Sequence, residues 1–159
     1  MHGRRTVLLC VICAMLALTL SSCFSTGTVW DDTIPPEQSA RVWFMYFVPK
    51  SYNGMDVDAK KFRIATLPAG DAEFSGDIAW SNQGTYVTYI FRSKDANFSC
   101  RFEGGEEYIA WVTYERDQET GKRLWGIALY KEKIAAKIGA PDKKNLVAFI
   151  PFDPPVLSN

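Results

Sequence analysis

The sequence is poor in the residues on which most enzymes depend. It holds one histidine, His2, in 159 residues. Of its four cysteines, Cys10, Cys13 and Cys23 lie close to the N-terminus and only Cys100 lies beyond them, so no disulfide framework spans the chain. Lysine and arginine number 18 and so do aspartate and glutamate, which leaves no field of one sign to draw nucleic acid. The N-terminal uncharged run, residues 7–20 (VLLCVICAMLALTL), stops short of the roughly 20 residues that cross a hydrocarbon core.

What is present begins with an address. Arg4 and Arg5 form a short cationic segment, the apolar run follows, and Leu20-Ser21-Ser22-Cys23 closes it. An aliphatic residue, two small residues and a cysteine in that order resemble the lipobox of bacterial lipoproteins. The resemblance implies a signal peptide over residues 1–22, cleavage between Ser22 and Cys23, and lipid attachment through the Cys23 sulfur, with acyl chains of the palmitate kind. One acyl chain binds a bilayer only marginally, at about 0.8 kcal/mol per buried CH₂, whereas two or three give a durable anchor. Phe24, standing where an aspartate signals inner-membrane retention, resembles the outer-membrane sorting pattern. The expected location is therefore the cell envelope, lipid-anchored, at the outer membrane.

Removal of 22 residues leaves 137, enough for one domain with a sizeable core. His2 leaves with the leader. Ser-His-Asp and Cys-His catalysis and the common zinc sites are then excluded, as is a histidine switch near neutral pH.

Residues 23–39 are rich in Ser, Thr, Gly, Asp and Pro and read as a lipidated flexible tether. Trp30 within them rests in the headgroup layer or docks on the domain. Residues 40–49 (ARVWFMYFVP) are apolar and aromatic throughout, which predicts a central strand covered on both faces. Asn53-Gly54 predicts a tight turn. Residues 61–67, 72–80, 85–92, 98–102, 107–115, 124–130 and 145–152 read as further strands, separated by turns at 68–71, 81–84, 93–97 and 103–106 and by a polar loop at 116–123. Gly76 within a strand predicts a bulge or a close backbone approach. Residues 131–139 (KEKIAAKIG) break the two-residue rhythm and predict one or two helical turns. Residues 154–159 are expected to be a disordered tail.

About seven to eight short strands with one short helix near the C-terminus predict an all-β fold. The expected architecture is a small antiparallel, Ig-like β-sandwich over residues 40–153, with a closed lipocalin-type barrel as the alternative. Leu67-Pro68-Ala69-Gly70, the Phe-x-x-Gly-x-x-Tyr form of Phe102-Glu103-Gly104-Gly105-Glu106-Glu107-Tyr108, and the opening Ala40-Arg41-Val42-Trp43-Phe44 resemble the PEGA-type and related small β-sandwich domains of bacterial envelope lipoproteins. That resemblance implies a non-enzymatic sandwich used for display or assembly.

Candidate sites are few. Trp43, Trp80, Trp111 and Trp125 fall in expected strands, where core is a better reading than a stacking platform. Asp71, Glu73 and Asp77, and Glu106 with Glu107, read as solvated turn charges and not as the facing carboxylates of a glycosidase. Asp56 and Asp58 lack the glycine and glutamate of a calcium loop. Cys100 alternates with Phe98 and Phe102 and reads as a small buried hydrophobe. Lys131, Lys133, Lys137, Lys143 and Lys144 form a basic concentration that reads as a wet helix face or meets anionic headgroups. No catalytic residue, cofactor or metal is expected. The chain reads as a non-catalytic interaction or assembly module that meets a protein partner through strand edges or an exposed aromatic. The alternative is a lipocalin-like carrier of a small apolar ligand.

Overall fold

Alternation sets the architecture. In a strand, successive side chains point to opposite faces, so apolar residues two apart line one face. Such rows run through most of the chain, and they assemble into two sheets packed face to face. The computed structural model describes residues 27–28, 34–59, 62–83, 88–134 and 140–158. Among them are ten strands: β1 (Gly27–Thr28), β2 (Ser39–Met45), β3 (Phe47–Tyr52), β4 (Met55–Asp56), β5 (Ile64–Pro68), β6 (Gly70–Gln83), β7 (Thr88–Phe102), β8 (Glu107–Arg116), β9 (Arg123–Lys131) and β10 (Leu146–Ser158). One sheet has the order β1-β5-β2-β8-β9-β10 and the other β4-β3-β6-β7. The expected all-β, two-sheet fold is present.

Between the sheets lies one aromatic core. Ala40, Val42 and Phe44 of β2, Phe74 and Ile78 of β6, Phe98 and Phe102 of β7, Tyr108 and Val112 of β8, and Trp125 and Ile127 of β9 all point into it. Phe74 and Phe98 sit opposite each other on neighbouring strands with ring centroids 5.0 Å apart. Phe44 meets Phe74 edge-on at 5.1 Å, and Phe47 meets Phe98 edge-on at 5.2 Å. Each such pair contributes about 0.5–1.5 kcal/mol beyond the burial of its area.

The chain differs from the expected hairpin succession because it keeps changing sheets. Residues 40–49 are not one strand: Tyr46, at φ 65°, turns the chain from the six-stranded into the four-stranded sheet. The turn resets the alternation, so Phe44 and Phe47 both face the core. The turns at 68–71 and 103–106 are likewise corners between sheets, since β5 and β8 belong to one sheet and β6 and β7 to the other. A strand that returns after crossing over enters alongside its neighbour in the same direction. β2 accordingly pairs parallel with β8, from Arg41↔Glu107 to Met45↔Trp111, and the sheet is mixed where an antiparallel one was expected.

Other differences are local. The expected turn at 93–97 is a bulge inside β7. There Ser93 opposes Ile78 and Ala96 opposes Gly76, with Asp95 at φ 56°. Gly76 serves the close approach read from its position: a Cβ there would overlap the carbonyl of Val48. The tail expected from residue 154 continues β10, with Val156, Leu157 and Ser158 opposite Trp125, Leu124 and Arg123. The Trp125 Nε1–H donates to Ser158 Oγ at 2.8 Å, and Phe152, delivered inward by the irregular stretch between Pro151 and Val156, is buried in the core. Within the span read as a tether, Gly27–Thr28 pairs parallel with Ala65–Thr66 of β5, and Pro36–Gln38 forms a 3₁₀ turn. Of the expected helix at 131–139, Lys131 still belongs to β9 and residues 135–139 lie outside the described residues.

The corner at 103–106 is clamped from outside. The Gly105 amide donates to the carbonyls of Pro36 and Ser39, at 3.0 and 2.8 Å. A Cβ on Gly104 would overlap the Glu37 carbonyl, so backbone meets backbone with nothing able to yield. Gly104→Ala is expected to cost about 2–3 kcal/mol, which lowers the midpoint of thermal unfolding by about 10 °C for a domain of this size; calorimetry on the purified chain checks this.

Candidate functional site

The expected lipid attachment at Cys23, the cleavage position at Ser22, and Lys137 lie outside the described residues. The remaining candidates divide into groups with a structural role and one surface without one.

The tryptophans take different places. Trp125 is fully buried, with Phe91 stacked on it at 3.9 Å and Trp80 edge-on at 5.2 Å. Trp43 and Trp111 point the other way, onto the outer face of the six-stranded sheet. That face carries its own small apolar layer. Ile109, Ala128 and Ile134 are buried there without belonging to the inter-sheet core. Glu107 anchors the layer: its Oε2 accepts the Ile134 N–H at 2.5 Å, its main-chain carbonyl accepts the Glu132 N–H at 2.9 Å, and its Oε1 lies 3.6 Å from Arg41. The outer face of β2, with Arg41, Trp43 and Met45, is half-buried, so this strand is fully covered on its core face only, where its composition predicts cover on both.

Of the acidic candidates, Asp71, Asp77, Glu106 and Glu107 each lie in an ion pair. Asp71, Glu73 and Asp77 lie along β6 on the outer face of the four-stranded sheet, not in turns. Asp71 pairs with Arg101 at 3.3 Å. Asp77 pairs with Lys50 at 2.7 Å; partial burial pushes its carboxyl upward, but hydrogen bonds from Lys50 and the Asp95 amide outweigh this and hold it below the usual range. Glu106 pairs with Lys131 at 3.0 Å. Among the described residues no group of three His, Cys, Asp or Glu is placed to hold a metal ion. The basic concentration is partly spent in the same way. Lys131 is bound by Glu103 and Glu106, whose hydrogen bonds raise its pKa, and Lys144 pairs with Asp142. Lys133 and Lys143 stay exposed.

The unassigned surface is the outer edge of β10, the last strand of its sheet. Residues 146–150 (LVAFI) contain no charge and no proline, and Leu146 and Val147 are 43% and 57% exposed. Phe149, beside them, is half-buried over Gly126 on the outer face. Beyond residue 150 the edge changes character. Pro151, Pro154 and Pro155 remove donors, and Asp153 turns toward β7, its carbonyl accepting from Asn97 Nδ2 at 3.0 Å. An edge strand exposes unpaired N–H and C=O groups, and proteins ordinarily blunt it with charge, proline or a cover. Here the prolines begin only at residue 151, Lys143 and Lys144 stand before the stretch, and the one irregularity within it is the register shift between Leu146 and Ala148, at Val147. Reading 145–152 as a last strand did not show that it is an edge; the flanking lysines and prolines around an uncharged run are the signal that could have done so.

No known protein family, no curated protein and no solved structure matches the chain.

Cys100 lies on the core side of β7 opposite Ala72, as its alternation predicts. Burial pushes its thiol up to about 12, so it stays protonated under physiological conditions. At pH 8 its thiolate fraction is then about a thousandfold below that of a thiol with the ordinary value, and alkylation by iodoacetamide slows in proportion. Mass analysis of the Cys100 peptide is expected to find it unmodified in the folded protein and modified after denaturation. The sign for stability follows: the unfolded thiol ionises first, so the fold loses stability as pH rises through the window from about 9 toward about 12.

Proposed function

We propose that this chain is a membrane-anchored bacterial lipoprotein of the cell envelope, acylated at Cys23, whose sandwich is a non-catalytic interaction or assembly module. Its partner is another envelope protein that adds an extended, apolar strand to the free edge of β10. The observation that carries this reading is the uncharged, proline-free edge at residues 146–150 with Leu146 and Val147 exposed. Strand addition uses the main chain for affinity and alternate side chains for specificity, and this edge offers both. The anchor rests on the Leu20-Ser21-Ser22-Cys23 pattern, and Phe24 directs it to the outer membrane. Gly27 follows four residues after Cys23, so at most about 14 Å of chain separates the acylated residue from β1. The domain accordingly rides close to the lipid surface, where a partner anchored in the same membrane meets it at high effective concentration.

The carrier alternative has less support. Phe44, Phe47, Phe74, Phe98, Phe102 and Phe152 occupy the space between the sheets where a lipocalin-type ligand would sit.

Two substitutions test the reading in cells carrying the tagged full chain. Cys23→Ala is expected to move the protein from the membrane to the soluble fraction. Val147→Lys, at an exposed position where stability changes stay within about 0.5 kcal/mol, is expected to abolish cross-linking to a stoichiometric partner while leaving membrane attachment intact. Recovery of the unsubstituted protein alone after cross-linking contradicts the proposal.

A further inference from the structure

Exposed apolar side chains from three strands gather at one end of the sandwich. Ile90 of β7 is 63% exposed, Leu157 of β10 44% and Tyr114 of β8 39%. Their strands reach that end together. β8 and β9 pair out to Arg116 opposite Arg123, Leu157 lies opposite Leu124, and β6 and β7 pair out to Gln83 opposite Thr88. Ring contacts between the sheets fix the common end: Trp80 of β6 meets Tyr114 at 6.2 Å, and Phe91 of β7 stacks on Trp125 of β9 at 3.9 Å. Tryptophan and tyrosine join an apolar body to a polar tip, and both collect where hydrocarbon meets water.

The N-terminus is directed to the same end. Gly27 of β1 lies opposite Ala65 with β1 parallel to β5, Ala65 lies opposite Val42, and Val42 lies opposite Tyr108. From this row the N-terminal end of β1 points the way β8 runs on to Arg116. Arg116 is eight residues beyond Tyr108, about 26 Å at the rise of a strand. Cys23 stands four residues before Gly27 and at most about 14 Å from it. In that direction the β8–β9 hairpin outreaches the residue proposed to carry the lipid, so a bilayer holding Cys23 is met by this end of the sandwich. On the same hairpin Arg116, Lys122 and Arg123 balance Glu115, Asp117 and Glu119. What the hairpin offers is therefore apolar contact and not attraction to anionic headgroups. We propose that this end, with Ile90, Tyr114 and Leu157 at its surface, rests in the headgroup layer of the bilayer; the inference rests on the acylation of Cys23 proposed above. Exposed apolar patches with a polar rim mark such surfaces. Leu146 lies opposite Tyr130, toward the other end of β9, so the open edge stays clear of the lipid.

The test uses the full chain isolated from membranes and reconstituted into vesicles of phosphatidylethanolamine and phosphatidylglycerol that contain a lipid with a nitroxide on its headgroup. A fluorophore is placed on Ile90→Cys or, at the other end of the domain, on Lys143→Cys; buried Cys100 stays unlabelled. Both positions are exposed, and an unchanged unfolding temperature verifies that each variant keeps the fold. The label at position 90 is expected to be quenched roughly threefold more than the label at 143, as for a group held at the depth of about 5–10 Å that interfacial segments reach. Because the contact is apolar, the contrast is expected to persist in 0.5 M salt, on the order of a 4 Å screening length. Flotation of the vesicles precedes the reading. A chain that does not float with them overturns the acylation and this inference together. A chain that floats but is quenched equally at both positions overturns the orientation alone and leaves the anchor standing. Loss of the contrast in salt also overturns it, because the contact is then one of charge.

Discussion

The two sheets are held by interlocked aromatic rings, and the rest of the structure depends on that interlock. Phe44 and Phe47 come from either side of one chain bend, yet both reach the same cluster, where Phe74, Phe98 and Phe152 meet them. Three elements thereby become interdependent: the bend at Tyr46, the cross-strand pair of β6 and β7, and the irregular stretch of β10 that turns Phe152 inward. Relaxing the bend would withdraw Phe47 from Phe98; straightening β10 would leave a ring-sized hole, and holes of that size in cores cost about 3–5 kcal/mol. The positive φ of Tyr46 persists because the packing on both sides of it requires the turn.

The same crossings explain where the free edges fall. Each passage between sheets places the next strand beside an older one, so the middle of the six-stranded sheet fills with β5, β2 and β8 and the last strand, β10, is left outermost. The four-stranded sheet ends on one side in the two-residue β4, too short to recruit a neighbour. On the other side, β7 leans on β10 where Asn97 meets Asp153. Among the described residues, 146–150 remain a stretch of edge without charge or proline.

Much of the fold is legible in the sequence, for identifiable reasons. The alternation in β6 is clean, so its inward row through Phe74 and Ile78 follows from the pattern alone; β8 and β9 are apolar on both faces, and their pattern gives their positions but not which face points inward. Asn53-Gly54 announces its turn, and both residues take positive φ there. Gly76 announces a close approach. What the pattern does not carry is which sheet each strand joins. A corner between sheets and a hairpin within one use the same turn residues, so Phe102 to Tyr108 reads as a hairpin although it crosses over. The segment Trp43-Phe44-Met45-Tyr46-Phe47 is apolar at every position and has no phase to reveal its bend. The tail read as disordered is rich in proline, and its pairing depends on Trp125 and Leu124, far away in sequence. For the site, the side of β7 on which Cys100 lies was legible, but Asp71, Glu73 and Asp77, read as turn charges, lie along β6, and the edge was not legible, because an edge is defined by the strand that is missing beside it.

The central claim is that β10 is open in the isolated chain and filled in the envelope. Hydrogen exchange measures this directly, by comparing deuterium uptake of the peptide covering residues 146–150 in the purified full chain and in the chain extracted gently with its native membrane neighbours. The account predicts that the amides of this stretch that face away from β9 exchange freely in the purified protein and become protected in the membrane extract, while peptides of β6 and β7 show the same uptake in both. Equal, rapid exchange at residues 146–150 in both preparations would contradict it and leave β10 an edge without an occupant.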